Sequence, residues 1–236
     1  MSDVDWKDAT NSYVRRILHA DADAFFVSVA RLVDPSGAGA EPLLIVGGSA
    51  NSRGVVTSAS YETRKFGVRS GMPTAQALRL CPDAYCVPVP GSACREKSRE
   101  IRKVLERLTP VVQPASIDEF YIDLTGTERL YKNAPLVQTA TEIRRAVLEE
   151  TGIAVSVGGG TSRLVAKLAA KRAKPHSSNA TGVFIVEPGE EQAFLAGLQL
   201  ADIPGVGPRF QERLAVRGLR SVRDALSLSQ EELTEW

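Results

Sequence analysis

Sulfur and imidazole are scarce in this chain: three cysteines and two histidines in 236 residues. Cys81, Cys86 and Cys94 are odd in number and form no C-x-x-C pair, and His19 and His176 stand far from them without ligand spacing. This argues against a structural zinc site or a disulfide framework and for free thiols in a reducing cytoplasm. An excess of charge of one sign is also missing. Against 29 lysines and arginines stand 28 acidic residues, a net charge of +1, so only a local basic patch could argue for nucleic acid. The N-terminal "MSDVDWKDATNS" is polar and acidic, unlike a signal peptide, and no apolar run is long enough to span a bilayer. There is no internal repeat, no low-complexity tract, and no P-loop, because "VGGGTS" lacks the G-x-x-x-x-G-K-[ST] order. The expectation is a soluble cytoplasmic protein with no membrane contact.

What is present is 43% hydrophobic, enough for a core divided between two or more subdomains. "YVRRILHADADAFF" starts as a strand and ends in acidic residues followed by an aromatic pair. "LLIVGG" and "GVVTSAS" read as short strands, and Pro73 in "PTAQALRLCP" suits a first helical position. Residues 92–108 have the spacing of an amphipathic helix, with Ile101, Val104, Leu105 and Leu108 on one face. "VVQPASIDEFYIDLTG" reads as two strands, "LVQTATEIRRAVLEETG" as a helix ended by Gly152, and "IAVSVGGG" as a strand. "TSRLVAKLAAKRAKP" is a helix ended by Pro175. This order predicts an α+β domain, a mostly antiparallel sheet with helices on one face, and residues 188–236 predict a small all-helical domain.

Asp21 lies where the first strand runs out, and Asp118 and Glu119 where two later strands meet. Adjacent carboxylates repel, so such a set needs a positive charge. If those strands are neighbours, three carboxylates converge with no histidine or cysteine among them, a donor set for Mg²⁺. A pair of such ions would stabilise the attacking and leaving oxygens of a reacting phosphate. On spacing alone, surface carboxylates at strand ends are the better explanation, since D-x-D and D-E occur often by chance. Asp23 reads as the cap of a helix starting at Phe25, and Asp123 as a solvated residue that could also join the site. Tyr61 and Arg64 share a helix face that could grip a polyphosphate. Arg163, Lys167 and Lys171 recur every four residues as a basic stripe, a candidate phosphate contact or simply a solvated face. "IPGVGPRFQERL" places Gly205 and Gly207 in a turn with Arg209 and Arg213 beside it, suited to a DNA backbone.

Taken together and in order, "HADADAFFVSV", "SYETRKFGVRSGMP", "ASIDEFYIDLTG", "SVGGGTSRLVAKLAAKRAKP" and "IPGVGP" resemble the Y-family DNA polymerases. The likeness runs from about residue 14 to the end. It implies a palm (1–24 and 90–182) of mostly antiparallel sheet backed by helices, small α/β fingers (25–89) and an all-helical thumb (183–236) with a helix-hairpin-helix. It also implies that Asp21 and Asp118 bind two Mg²⁺ ions, that Glu119 completes the catalytic set, and that the Ala22 carbonyl is a further ligand. Phe26 falls at the steric gate against the sugar 2′-OH, and Tyr61, Arg64 and Lys174 at dNTP-binding positions. Arg163, Lys167, Gly205, Gly207 and Arg209 become DNA contacts. The implied activity is template-directed, low-fidelity translesion synthesis on primer–template DNA by a monomer.

Three departures stand out. Ala30 replaces a usual glutamate, "KPHS" replaces the usual "KPNG", and the chain ends where the family continues into a little-finger domain. Any sliding-clamp contact is expected through that missing C-terminal region. Two other readings remain: a nucleotidyl cyclase, against which "IPGVGP" argues, and a non-catalytic DNA-binding protein that keeps the polymerase fold.

Overall fold

A computed structural model of the chain describes residues 14–175, 181–229, 231 and 232. The expectations for "MSDVDWKDATNS" and for His176 and Ser177 fall outside them. The chain opens with β1 (Ile17–Ala22) and α1 (Phe25–Val33), then β2 (Leu44–Gly47) and β3 (Val56–Ala59). The short helices α2 (Tyr61–Arg64) and α3 (Thr74–Leu80) lead to β4 (Tyr85–Val87) and the long α4 (Gly91–Leu108). There follow β5 (Val112–Pro114), β6 (Glu119–Asp123), α5 (Leu136–Thr151), β7 (Val155–Gly160), α6 (Arg163–Ala173) and β8 (Val183–Ile185). The last elements are α7 (Glu191–Ala196), a 3-10 turn (Leu200–Asp202), α8 (Pro208–Val216) and α9 (Val222–Ala225).

Five strands form the main sheet in the order β5-β6-β1-β7-β8. β1 is central and antiparallel to both β6 and β7, and only the β7–β8 pair is parallel. Alternation decides which face is which. Leu18, Ala20 and Ala22 of β1, Phe120 and Ile122 of β6, and Val155 and Val157 of β7 share one buried cluster with Ile101 and Leu105 of α4 and Ile143 and Val147 of α5. Burying each of the larger side chains contributes about 1.5–3 kcal/mol. The alternate residues, His19 and Asp21, Glu119 and Tyr121, Ser156 and Gly158, face the other way.

That second face is not bare. The sequence placed the helices on one face, but α6 lies against the other, over β7 and β1. Glycine is what admits it. A Cβ on Gly158 would fall 2.0 Å from the Ala170 nitrogen and 2.2 Å from the Ala166 carbonyl oxygen, so the helix backbone rests directly on the strand. Ser162 caps α6 by accepting from the Val165 N–H at 3.2 Å. α5 ends at Gly152, whose φ of 72° is the left-handed conformation that glycine adopts without strain.

A second, three-stranded sheet runs β3-β2-β4. Ile45, Val56, Ala59, Val68, Ala77 and Cys81 pack together, while Leu44 and Val46 pack with Val27, Ala30 and Ala38. α1 therefore serves both cores: Phe25 and Val29 in the main one, Val27 and Ala30 in the smaller. Ala30, where the resemblance expects glutamate, is buried in that apolar cluster. Pro73 precedes α3 as its cap residue rather than occupying its first position. In the C-terminal helical part, Phe194 and Leu195 lean on Val165, Ala169 and Val186, and Leu200, Leu214 and Leu219 form a separate core. No helix among the described residues is long and apolar enough to cross a membrane.

Candidate active site

The pairing register brings the acidic residues to one edge. Asp21 lies directly opposite Glu119, and the Ala22 N–H donates to the Asp118 carbonyl at 3.0 Å. Asp21 and Glu119 project on the face covered by α6. Asp118, one residue earlier than Glu119, is half-buried and accepts a hydrogen bond from the Ser116 hydroxyl at 2.5 Å. Among the described residues, no three side chains of metal-ligating type close on a single point.

The positive charge that the pair requires comes from α6 and the residue that caps its end. Lys167 Nζ lies 2.8 and 2.6 Å from the two Glu119 oxygens, and Lys174 Nζ lies 2.6 Å from Asp21 Oδ1 and 4.0 Å from Asp23 Oδ1. Lys167 lies within α6, and Lys174 is the extended residue that caps its C-terminus. Burial pushes the Asp21 carboxyl above its ordinary range, although Lys174 pulls it down. Glu119 is held below its ordinary range by the neighbouring His19 and by Lys167, against its partial burial. The His19 Nε2–Glu119 Oε2 distance of 3.7 Å is too long for a hydrogen bond, so the ammonium of Lys167 is the partner in contact.

Asp23 is not the helix cap the sequence suggested. The residue before α1 is Ala24, at φ 45°, with no side-chain cap. The Asp23 carboxylate instead accepts from Ser156 Oγ at 2.7 Å, and its backbone carbonyl accepts from Ser28 Oγ. Asp23 is buried, and burial raises its carboxyl. Asp123 pairs with Ile17 at the far end of β6, about 13 Å along the strand from Glu119, and accepts from the Thr125 N–H.

Tyr61 and Arg64 sit on α2, the guanidinium over the ring at 4.9 Å and its Nε donating to the Ala59 carbonyl. Burial, with Asp23 nearby, pushes the Tyr61 phenol upward. Both residues line an open cleft of about 1020 Å³ with Lys65, Arg69, Lys171 and Pro175. Of the aromatic pair, Phe25 is buried in the main core, whereas Phe26 is half-exposed, edge-on to it at 5.4 Å. Arg163 bonds Gln113 and lies over the Tyr121 ring at 5.3 Å. Further off, Gly205 has φ +90° in the turn before α8, Gly207 caps α8, and Arg209 is exposed on its first turn. The helix expected before that turn is only the 3-10 stretch Leu200–Asp202.

Sequence reasoning brought Asp21, Asp118 and Glu119 together, as the structure does at backbone level. It missed that Lys167 and Lys174 lie on two of those carboxylates. It missed His19 altogether, because a single histidine in an apolar strand has no pattern.

Fold and site define an α+β protein of palm type, a mostly antiparallel sheet presenting carboxylates at one edge beside a basic helix. The impB/mucB/samB family model matches residues 20–171, and the chain belongs to that family, so the Y-family resemblance holds. DNA polymerase IV of Dehalococcoides mccartyi (strain CBDB1) is 40% identical over 206 residues, covering 87% of this chain and 50% of the relative. DNA polymerase IV of Yersinia enterocolitica serotype O:8 is 38% identical over 220 residues, covering 93% and 60%. Among solved structures, DinB from Sulfolobus solfataricus superposes with a TM-score of 0.81 at 32% identity, covering 93% of this chain and 62% of that one. The insertion ternary complex of Dbh DNA polymerase gives 0.80 at the same identity and coverage. The chain thus spans about half to three fifths of the length of these curated relatives.

Proposed function

We propose that this chain carries the catalytic core of a template-directed DNA polymerase of the translesion type, acting on primer–template DNA and dNTPs. The observation that supports it most is the pairing of Asp21 with Glu119 across neighbouring strands, each with a lysine ammonium within 2.8 Å. In this reading residues 1–24 and 90–182 are the palm, 25–89 the fingers and 183–236 the thumb.

The donor set fits Mg²⁺: Asp21, Asp118 and Glu119, with the Ala22 carbonyl at the same edge, offer only hard oxygens. Burial that raises Asp21 also makes a neighbouring cation favourable, and the lysine nitrogens mark where positive charge is stabilised. Two bound ions would neutralise charge on the reacting phosphate and activate the primer 3′-hydroxyl.

The remaining work belongs to side chains. Tyr61 and Arg64 line the cleft between α2 and the end of α6, and together with Lys174, the neighbour of the cleft-lining Pro175, would hold the triphosphate, Arg64 by its planar fork. Lys174, now on Asp21, would be available to phosphate oxygens if a cation took its place there. Phe26 presents its ring to the sugar and rejects a 2′-OH by overlap. Arg163 and Lys167 on α6, and Gly205, Gly207 and Arg209 at the turn before α8, would hold the DNA backbone through charge and exposed N–H groups. Pyrophosphate leaves as the 3′-oxygen bonds the α-phosphorus. Primer extension with Mg²⁺ and single dNTPs tests the whole reading. Template-dependent products from the wild type, absent from Asp21→Asn, are the expected result. A chain that binds primer–template and never extends it is a DNA-binding protein instead.

A further inference from the structure

His19 is fully buried in the middle of β1, and neither ring nitrogen has a hydrogen-bond partner among the described residues. It faces the catalytic side of the sheet, opposite Tyr121 on β6 and Gly158 on β7, with its ring 4.7 Å from that of Tyr121. An imidazole carries at least one N–H whatever its tautomer or charge, and a buried donor without an acceptor is costly. Glu119 Oε2 lies 3.7 Å from His19 Nε2, just beyond bonding range, while Lys167 holds that same oxygen at 2.6 Å.

Glu119 therefore stands between two donors and engages one. A carboxylate neutralised by an ammonium at that distance is a poor ligand, since the same ammonium repels an incoming cation. To serve as a ligand, as the proposed function requires, Glu119 must part from Lys167. Lys167 is the partner able to leave: its side chain is flexible and 34% exposed, whereas His19 is fixed in the sheet. We infer that His19 is a positioning residue that receives Glu119 through Nε2–H when Lys167 is released, and so holds the carboxylate in the orientation that binds metal. The movement needed is about 1 Å, within reach of a glutamate side-chain rotation.

This inference rests on the polymerase reading, and the test separates the two. Mn²⁺ binding to the free protein is followed by electron paramagnetic resonance for the wild type, His19→Met and His19→Gln. Methionine and glutamine are alike in size, but only glutamine offers a donor where Nε2 stands. The Met variant should bind Mn²⁺ about tenfold more weakly, as when a hydrogen-bond partner of a metal ligand is removed, with glutamine restoring most of that loss. Its unfolding midpoint in EDTA should not fall, because an unpaired polar group has been removed. Primer extension should show the loss in kcat rather than in the KM for dNTP. If the Met variant does not fold, Lys167→Ala reads the same claim. Glu119 then passes to His19 and Mn²⁺ affinity holds or improves, whereas a tenfold loss overturns the inference. Equal Mn²⁺ affinity in the Met variant and the wild type, or equal impairment of Met and Gln, also overturns it. A wild type that binds no Mn²⁺ removes the polymerase reading and this inference with it.

Discussion

At Asp118 and Glu119, one peptide bond separates two chemical situations. Glu119 points beneath α6 into the field of Lys167 and His19, whereas Asp118 turns to Ser116 at the edge. Asp118→Asn and Glu119→Gln should each lose about a thousandfold or more in nucleotide incorporation while primer–template binding survives. Near-normal single-nucleotide kinetics in either variant would remove it from the site. Glu119 also has an acid signature. Its carboxyl is held below its ordinary value of 4.5 in the folded chain, so its contribution is complete above pH 4.5 and is lost progressively as pH falls below it. In EDTA, the stability difference between wild type and Glu119→Gln should shrink across that window, measured by urea unfolding at successive pH values. If Phe26 is the steric gate as proposed, Phe26→Ala should raise the ratio of ribonucleotide to deoxyribonucleotide incorporation. An unchanged ratio would make Phe26 only a packing residue between the two cores. Residue types were the most legible part of the site, yet single roles were not. Asp23 beside a helix start looks like a cap, and only Ser156, 133 residues away in sequence, shows what it binds.

Among the elements, α6 bears most on the site, and its seat is a glycine. Gly158→Ala must push the helix off β7, because the added carbon would meet backbone that cannot rotate away. A cost of about 1–3 kcal/mol is expected by denaturant titration, and the KM for dNTP should rise with it, since Lys174 moves with the helix. Lys174→Ala should raise that KM with little effect on DNA affinity. Weakened duplex binding at unchanged KM would assign Lys174 to the DNA backbone instead. Long elements were readable because they repeat a period: α4 and α5 follow their apolar stripes and α5 ends at Gly152 as its composition suggests. β4 and β8 were not. Each has three residues, too few to show a period, and both carry an exposed aromatic, Tyr85 and Phe184. The face chosen by α6 was equally hidden, for the glycines of β7 say that something comes close without saying what.

The molecule as a whole joins two sheets through α1 and ties α6 to the C-terminal helices by the Lys171–Asp202 ion pair at 2.6 Å. If α6 and the turn before α8 track one DNA backbone, binding should weaken linearly in log K against log salt. Arg209→Ala should then reduce the slope by about 1 without changing sequence preference. An unchanged slope would place the duplex elsewhere. The pairing of β1 with β6 reaches further. Residues Leu18, Ala20 and Ala22 fill the core because they alternate with His19 and Asp21, and Phe120 and Ile122 because they alternate with Glu119 and Tyr121. A slip of one residue in either strand would expose the oil and drown the acid, so the misaligned chain could not hold together long enough to matter. The geometry of the acidic edge is thus inherited from hydrophobic collapse: the same rhythm that lets the chain find its fold delivers both carboxylates to their edge, and no later event has to assemble them.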